Sequence, residues 1–161
     1  MAETVCNTSP IQYLHQLGLL DLLKQLCGAI VVPPAVVDEL AAGRALGVSL
    51  PDLAAVEWVK IRRPASQQAL PLVTDLGAGE AEVLMLGLET PGTVVLLDDA
   101  LARDIARAHH TPLKGTLGVL LEAKQRGLIH EVKPLLDRLQ ELRFRLAPHT
   151  RTAVLKLACE A

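Results

Sequence analysis

The stretch Thr93-Val94-Val95-Leu96-Leu97-Asp98-Asp99 decides how the rest of the chain is read. Thr93–Leu97 is continuous, β-branched and apolar, the pattern of a strand buried on both faces of a parallel sheet. Two acids end it, and Ala100–His109 then reads as a helix. On the near side, Glu80–Leu88 predicts a helix that starts near Gly79 and stops before Pro91-Gly92. On the far side, Leu113–Gly115 is a short extended stretch, and Thr116–Arg126 is a helix ended by Gly127. Helix, strand, helix, strand, helix in this order is the signature of βαβ units.

The N-terminal third repeats the alternation. Thr4-Val5-Cys6 reads as a strand. Ser9 is a suitable N-cap and Pro10 a suitable first helical residue, so Pro10–Leu17 is a helix broken at Gly18, and Leu19–Leu26 is a second one stopped by Gly28. Ala29–Val32 is a strand closed by Pro33-Pro34. Ala35–Ala42 is a helix ending at Gly43, Val56–Ile61 a further strand, and Arg62–Leu72 a loop with Pro64 and Pro71. Val132–Arg143 and Thr150–Cys159 close the chain as helices, the latter starting after Pro148. The expected fold class is α/β: one domain over residues 1–161, a three-layer α/β/α sandwich around a central, mainly parallel sheet. Ligands in such sheets bind beyond the carboxyl ends of the strands, which is where Asn7 and Asp98-Asp99 fall.

Composition narrows the chemistry. The chain has 161 residues, half of them apolar and 21% charged, enough for an ordinary core and too apolar for disorder. Aromatics are 2%, namely Tyr13, Trp58 and Phe144, so a row of stacking platforms for nucleic-acid bases is excluded. No apolar run approaches the roughly 18–20 residues of a membrane span, and no secretory signal pattern is seen. Three cysteines without CxxC spacing argue against a disulfide framework or a zinc knuckle and for a reducing, cytoplasmic setting. Residues 1–100 carry 5 Lys and Arg against 12 Asp and Glu, whereas residues 101–161 carry 11 against 6. An acidic part joined to a basic part suits a cation held beside a phosphate backbone.

The acids Glu39, Glu80 and Asp99 stand on segments that converge on one rim of the expected sheet. Carboxylates that cannot neutralise one another call for a cation, and oxygen donors select Mg²⁺ or Mn²⁺. Taken singly, each has a simpler reading. Glu39 is half of an exposed Asp38-Glu39 pair, Glu80 and Glu82 suit a helix dipole, and Asp99 suits an N-cap. Adjacent His109-His110 point in different directions on a helix. Cys6 reads as a buried small hydrophobe, since no histidine supports it as a nucleophile. Gly77 and Gly79 form no phosphate-binding loop motif. Ile11, Tyr13, Leu14, Leu17, Leu22 and Leu23 read either as core or as a dimer face.

Several short motifs, in order, resemble PIN-domain proteins, in particular a prokaryotic PIN-like group. They are Val5-Cys6-Asn7-Thr8-Ser9-Pro10-Ile11, Val32-Pro33-Pro34-Ala35-Val36-Val37-Asp38-Glu39-Leu40, Leu76-Gly77-Ala78-Gly79-Glu80-Ala81-Glu82 and Leu96-Leu97-Asp98-Asp99-Ala100-Leu101-Ala102-Arg103. Lys114-Gly115-Thr116-Leu117-Gly118-Val119-Leu120 and Ala123-Lys124-Gln125-Arg126-Gly127-Leu128-Ile129 follow. The resemblance spans nearly the whole chain. It implies an α/β/α sandwich and an Mg²⁺- or Mn²⁺-dependent ribonuclease similar to VapC-type toxins, commonly dimeric and paired with an antitoxin protein. It matches Glu39, Glu80 and Asp99, with Asp98 adjacent, to the family's second, third and fourth acids, and Thr8 and Ser9 to a small polar site beside the first.

Asn7 stands where the family has its first Asp. An amide oxygen ligates a cation but brings no negative charge and cannot act as a carboxylate base. Three functions therefore stay open: an endoribonuclease with metal on Asn7, Glu39, Glu80 and Asp99 and Asp98 in support; a weakened module that grips RNA without cutting it; and one member of a toxin–antitoxin pair. Arg103, Arg107 and Lys114 are the basic residues placed to meet an RNA backbone, or else they serve only surface solubility.

Overall fold

The computed structural model describes residues 2–65 and 76–161. Five strands form one sheet, β1 (Thr4–Cys6), β2 (Ile30–Val32), β3 (Val59–Ile61), β4 (Val94–Leu96) and β5 (Leu113–Lys114), in the order β3-β2-β1-β4-β5. Every pairing is parallel. The helices are α1 (Thr8–Gln16), α2 (Asp21–Cys27), α3 (Pro34–Ala45), α4 (Ala78–Glu89), α5 (Ala100–Ala108), α6 (Thr116–Gln125), α7 (Lys133–Glu141) and α8 (Pro148–Leu157), with a short 3₁₀ turn at Leu53–Ala55. The architecture is the expected three-layer sandwich. Right-handed crossovers place the β1-to-β2 helices and the β4-to-β5 helix on opposite faces. The packing follows this rule, with α4 against α5, and α2 against α6.

The β4 run behaves as its composition requires: Val95, Leu96 and Leu97 are buried, as are their neighbours Val5 and Cys6 on β1. Register pairs Cys6 with Leu96, so Asn7 and Leu97–Asp98 emerge side by side at the carboxyl edge. The chain leaves β1 toward β2 on one side, while β4 lies on the other. The gap between β1 and β4 is thus the topological switch point, where open α/β sheets form their crevice. Ile11, Leu14, Leu22 and Leu23 are buried in the core, with Tyr13 and Leu17 partly buried and packed against it, so the two N-terminal helices supply core.

Several boundaries differ from expectation, two of them for identifiable reasons. Helix α3 runs through Gly43 and stops at Gly47, whose φ of +86° takes the left-handed conformation. Gly47 N–H donates to Arg44 O and Val48 N–H to Gly43 O, both at 3.0 Å, a Schellman stop. Gly43 is a helical residue against which the Leu50 side chain packs, in the space a Cβ would take. Strand β3 begins only at Val59, because Val56 closes the 3₁₀ turn. The expected Arg62–Leu72 loop is described only to Ala65; Pro71 and its neighbours lie outside the described residues. Among the described residues no helix is long and apolar enough to cross a membrane.

Glu160 anchors the C-terminal end. Its Oε2 accepts from Lys124 Nζ (2.9 Å) and Val132 N–H (2.8 Å), and its Oε1 from Lys133 N–H (2.9 Å). It therefore caps α7 and ties it to α6. Burial pushes the carboxyl up, but Lys124 and the two backbone donors outweigh it and bring the group from 4.5 to about 2. The folded value is the depressed one, so the contribution is present above 4.5 and is lost as pH falls toward about 2. Glu160→Gln is expected to cost about 1–3 kcal/mol at neutral pH. In thermal melts across pH, its deficit against the wild type should shrink through that acidic window. Equal melting temperatures at neutral pH would contradict this anchor.

Candidate active site

Asn7 directly follows β1, still extended (φ −84°, ψ 172°), and stands at the N-cap of α1. Its N–H donates to Leu96 O at 3.1 Å, which fixes it beside β4. It is 2% exposed. Its side-chain Oδ1 is buried and has no hydrogen-bond partner among the described residues. Such an orphaned acceptor is costly.

The two hydroxyls after Asn7 reach to opposite sides. Thr8 Oγ1 donates to Glu39 Oε2, and Ser9 Oγ donates to Asp98 Oδ2 at 2.8 Å. Ser9 is thus not the N-cap that its position before Pro10 suggested. The helix starts two residues earlier, and the Ser9 hydroxyl is used across the site.

Helices α3 and α4 cap each other. Glu82 on α4 accepts from Ala35 N–H at 2.9 Å, and Glu39 on α3 accepts from Gly79 N–H at 3.1 Å. Both donors are among the amides that a helix start leaves unpaired. This exchange, with the Thr8 bond, holds the exposed Glu39 carboxylate in place. Gly79 is required there: a Cβ would lie 2.8 and 2.9 Å from the Glu39 oxygens and 3.0 Å from Asn7 Oδ1. Three acceptor oxygens therefore gather about one point at the start of α4.

Asp98 and Asp99 follow β4 and part company. Asp98 Oδ1 accepts from Thr116 N–H (2.8 Å), and Oδ2 from Thr116 Oγ1 (2.6 Å) as well as from Ser9. It ties β4 to α1 and α6. Asp99 is the N-cap of α5, with Oδ2 accepting from Ala102 N–H at 2.9 Å. Asn7, Ser9, Glu80, Asp98 and Asp99 line a cleft of about 710 Å³. Glu80 folds back over Gly77. Glu39 is not in the cleft lining; it meets Asn7 at Gly79. Tyr13, Arg143, Phe144 and Arg145 complete the lining. That aromatic and basic part of the wall was not foreseen. Its only sequence signal is the Arg-Phe-Arg triplet, which carries one of the three aromatics in the chain.

The basic residues expected to meet RNA are partly committed elsewhere. Arg103 donates to Leu97 O at 2.9 Å. Arg107 pairs with Asp104 on the exposed face of α5 (3.2 Å). Lys114 pairs with Glu122 while lining a second cleft. Cys6 is fully buried, and burial, with the Asp98 carboxylate, pushes its thiol well up; it is no nucleophile. His109 and His110 lie exposed at the end of α5.

Among the described residues no three His, Cys, Asp or Glu side chains close around a point that could hold a metal ion. Of the expected acids, Glu80, Asp98 and Asp99 thus line an open cleft, Glu39 lies outside its lining, and they do not form a cage. The donor chemistry nevertheless fits Mg²⁺ or Mn²⁺. Each of the expected ligands offers a hard oxygen, and Asn7 Oδ1 is a buried acceptor lacking a donor among the described residues. Mg²⁺ keeps several waters and needs only one or two carboxylates.

No curated protein and no solved structure matches the chain at a significant level. The family described as "DUF3368: PIN domain" matches residues 3–160. PIN domains are a nuclease fold and are generally metal-dependent, and the switch-point crevice with its acids is consistent with that chemistry. With nearly every residue inside the match, the chain belongs to the PIN-domain family.

Proposed function

We propose that this protein is an endoribonuclease, a single cytoplasmic domain that hydrolyses RNA phosphodiesters with Mg²⁺ or Mn²⁺. The observation that supports it most is the orphaned Asn7 Oδ1, buried beside Glu39 at the switch point and lining the cleft with Glu80 and Asp99. Asn7, Glu39, Glu80 and Asp99 would hold the ion. When bound, it supplies a Lewis acid for a phosphoryl oxygen and lowers the pKa of a water. Thr8 orients Glu39, Ser9 and Thr116 orient Asp98, and Asp98 keeps the ends of β1 and β4 in register. Their fixed dipoles leave little to reorganise when charge develops at phosphorus. As a toxin, the protein would work as a homodimer whose acidic rim an antitoxin covers.

A second reading has its own support. Asn7 brings no charge, which weakens the site and favours a module that holds RNA or a protein without cutting. A labelled single-stranded RNA incubated with the protein and Mn²⁺ separates the two. Cleavage that falls at least about a hundredfold in Glu80→Gln and in Asp99→Asn is the expected result. Cleavage unchanged in both variants would refute the site assignment. RNA binding with steep salt dependence but no product over hours would select the second reading.

A further inference from the structure

The aromatic and basic lining of the acidic cleft has no part in holding a cation, yet its position is fixed by several contacts. Helix α7 ends at Leu142 in a Schellman stop: Arg143 N–H donates to Gln140 O at 3.0 Å and Phe144 N–H to Leu139 O at 2.9 Å. The Phe144 ring meets Tyr13 of α1 edge-on, with centroids 4.9 Å apart and planes at 89°. The turn is therefore fixed against the same helix that carries Thr8 and Ser9.

Arg143 and Arg145 flank this anchor. Nearby arginines are neutralised: Arg138 by Glu141, Arg151 by Asp137 and Arg126 by Glu122. The guanidinium groups of Arg143 and Arg145 make no hydrogen bond or ion pair among the described residues. Among the described residues neither forms an ion pair with Glu80, Asp98 or Asp99, which line the same cleft. A second cleft of about 400 Å³ adjoins the first, sharing Asp98, Phe144 and Arg145, and it runs past Arg103, Lys114 and Gly118. Arg145 stands at the junction of the two.

We propose that Arg143 and Arg145 grip the phosphodiester backbone of a single-stranded RNA in the acidic cleft, and that the strand continues past Arg145 into the second cleft toward Lys114. This rests on the ribonuclease reading for the identity of the ligand. A polyanion entering a cleft lined by carboxylates needs fixed positive charge in the same lining, and Arg143 and Arg145 supply it. Free guanidiniums match phosphate oxygens in charge and geometry. An acidic peptide would meet the same carboxylates without a phosphate for a cation to bridge, so RNA is the better match.

The test is fluorescence anisotropy of a labelled oligouridylate, titrated in the Glu80→Gln/Asp99→Asn background to prevent cleavage, at several salt concentrations. Arg143→Gly and Arg145→Gln are added singly and together, with Arg138→Gln as control. Arg143 has a φ of +69°, a conformation glycine prefers, so the Gly variant should fold at least as well and melting should not fall. The double variant is expected to lose about tenfold in affinity, and the slope of log affinity against log salt should flatten by about 1.4, two single-strand phosphate contacts. Arg138→Gln should match the parent.

Unchanged affinity and slope in the double variant would overturn the proposal, even if the wild type cleaves RNA. Loss of binding in the double variant, with no cleavage by the wild type, would uphold the proposal and remove the nuclease reading. No RNA binding by the parent at low salt, or binding of oligoglutamate in its place, would overturn it as well.

Discussion

Replacing Asn7 by aspartate is expected to make stability depend steeply on divalent metal. Position 7 is 2% exposed, and its outer oxygen lies with the Glu39 carboxylate about one point at Gly79. A carboxylate there without a cation is buried beside a like charge. The cost should be about 2–4 kcal/mol, or roughly 5–15 °C of melting temperature for a chain of this size. With a cation bound, the same charge becomes an asset. Saturation at about a hundred times Kd returns about 2.7 kcal/mol. Thermal melts in EDTA and in Mg²⁺ should thus diverge far more for Asn7→Asp than for the wild type. A variant that melts like the wild type in both conditions would mean that Asn7 Oδ1 does not face the cation position.

Asp98→Ala is expected to be the most destabilising single change at the site. One carboxylate serves Ser9 and both donors of Thr116, a residue that is 0% exposed. Alanine leaves those donors without an acceptor and releases β4 from α1 and α6. A loss of about 3–4 kcal/mol is expected, since charged hydrogen bonds contribute about 1.5–3 kcal/mol each and are not additive. Asp98→Asn keeps an oxygen for the Thr116 N–H, and rotating hydroxyls can accept from its amide. It should recover most of the stability and retain metal binding. A folded Asp98→Asn protein that no longer binds metal would make Asp98 a ligand and not a positioning residue.

What was readable in the sequence follows from physical rules of different reach. The Thr93–Leu97 run showed its strand because continuous burial leaves a continuous apolar pattern. The alternation around it led to a parallel sheet, and the sheet led to a crevice beyond Asn7 and Asp98-Asp99. Local signals misled where tertiary contacts took over. Gly43 looked like a helix stop, but it is a packing site for Leu50, and the left-handed residue is Gly47. Ser9 looked like a cap, but its hydroxyl bonds Asp98, 89 positions away. The reciprocal capping by Glu39 and Glu82 was invisible because each acid serves the other's helix. The Arg143–Arg145 wall was missed because nothing in its neighbouring residues says that the end of α7 packs on Tyr13. Asn7 is the opposite case: its departure from the family pattern was plain, and its burial and the lack of a donor to its Oδ1 among the described residues add what the sequence did not contain.

The most direct test of the central claim is a calorimetric titration of the purified protein with Mg²⁺ and Mn²⁺, beside the Glu80→Gln/Asp99→Asn double variant. The account predicts saturable binding by the wild type that the double variant loses. No heat of binding at millimolar metal, or equal binding by both proteins, would contradict it.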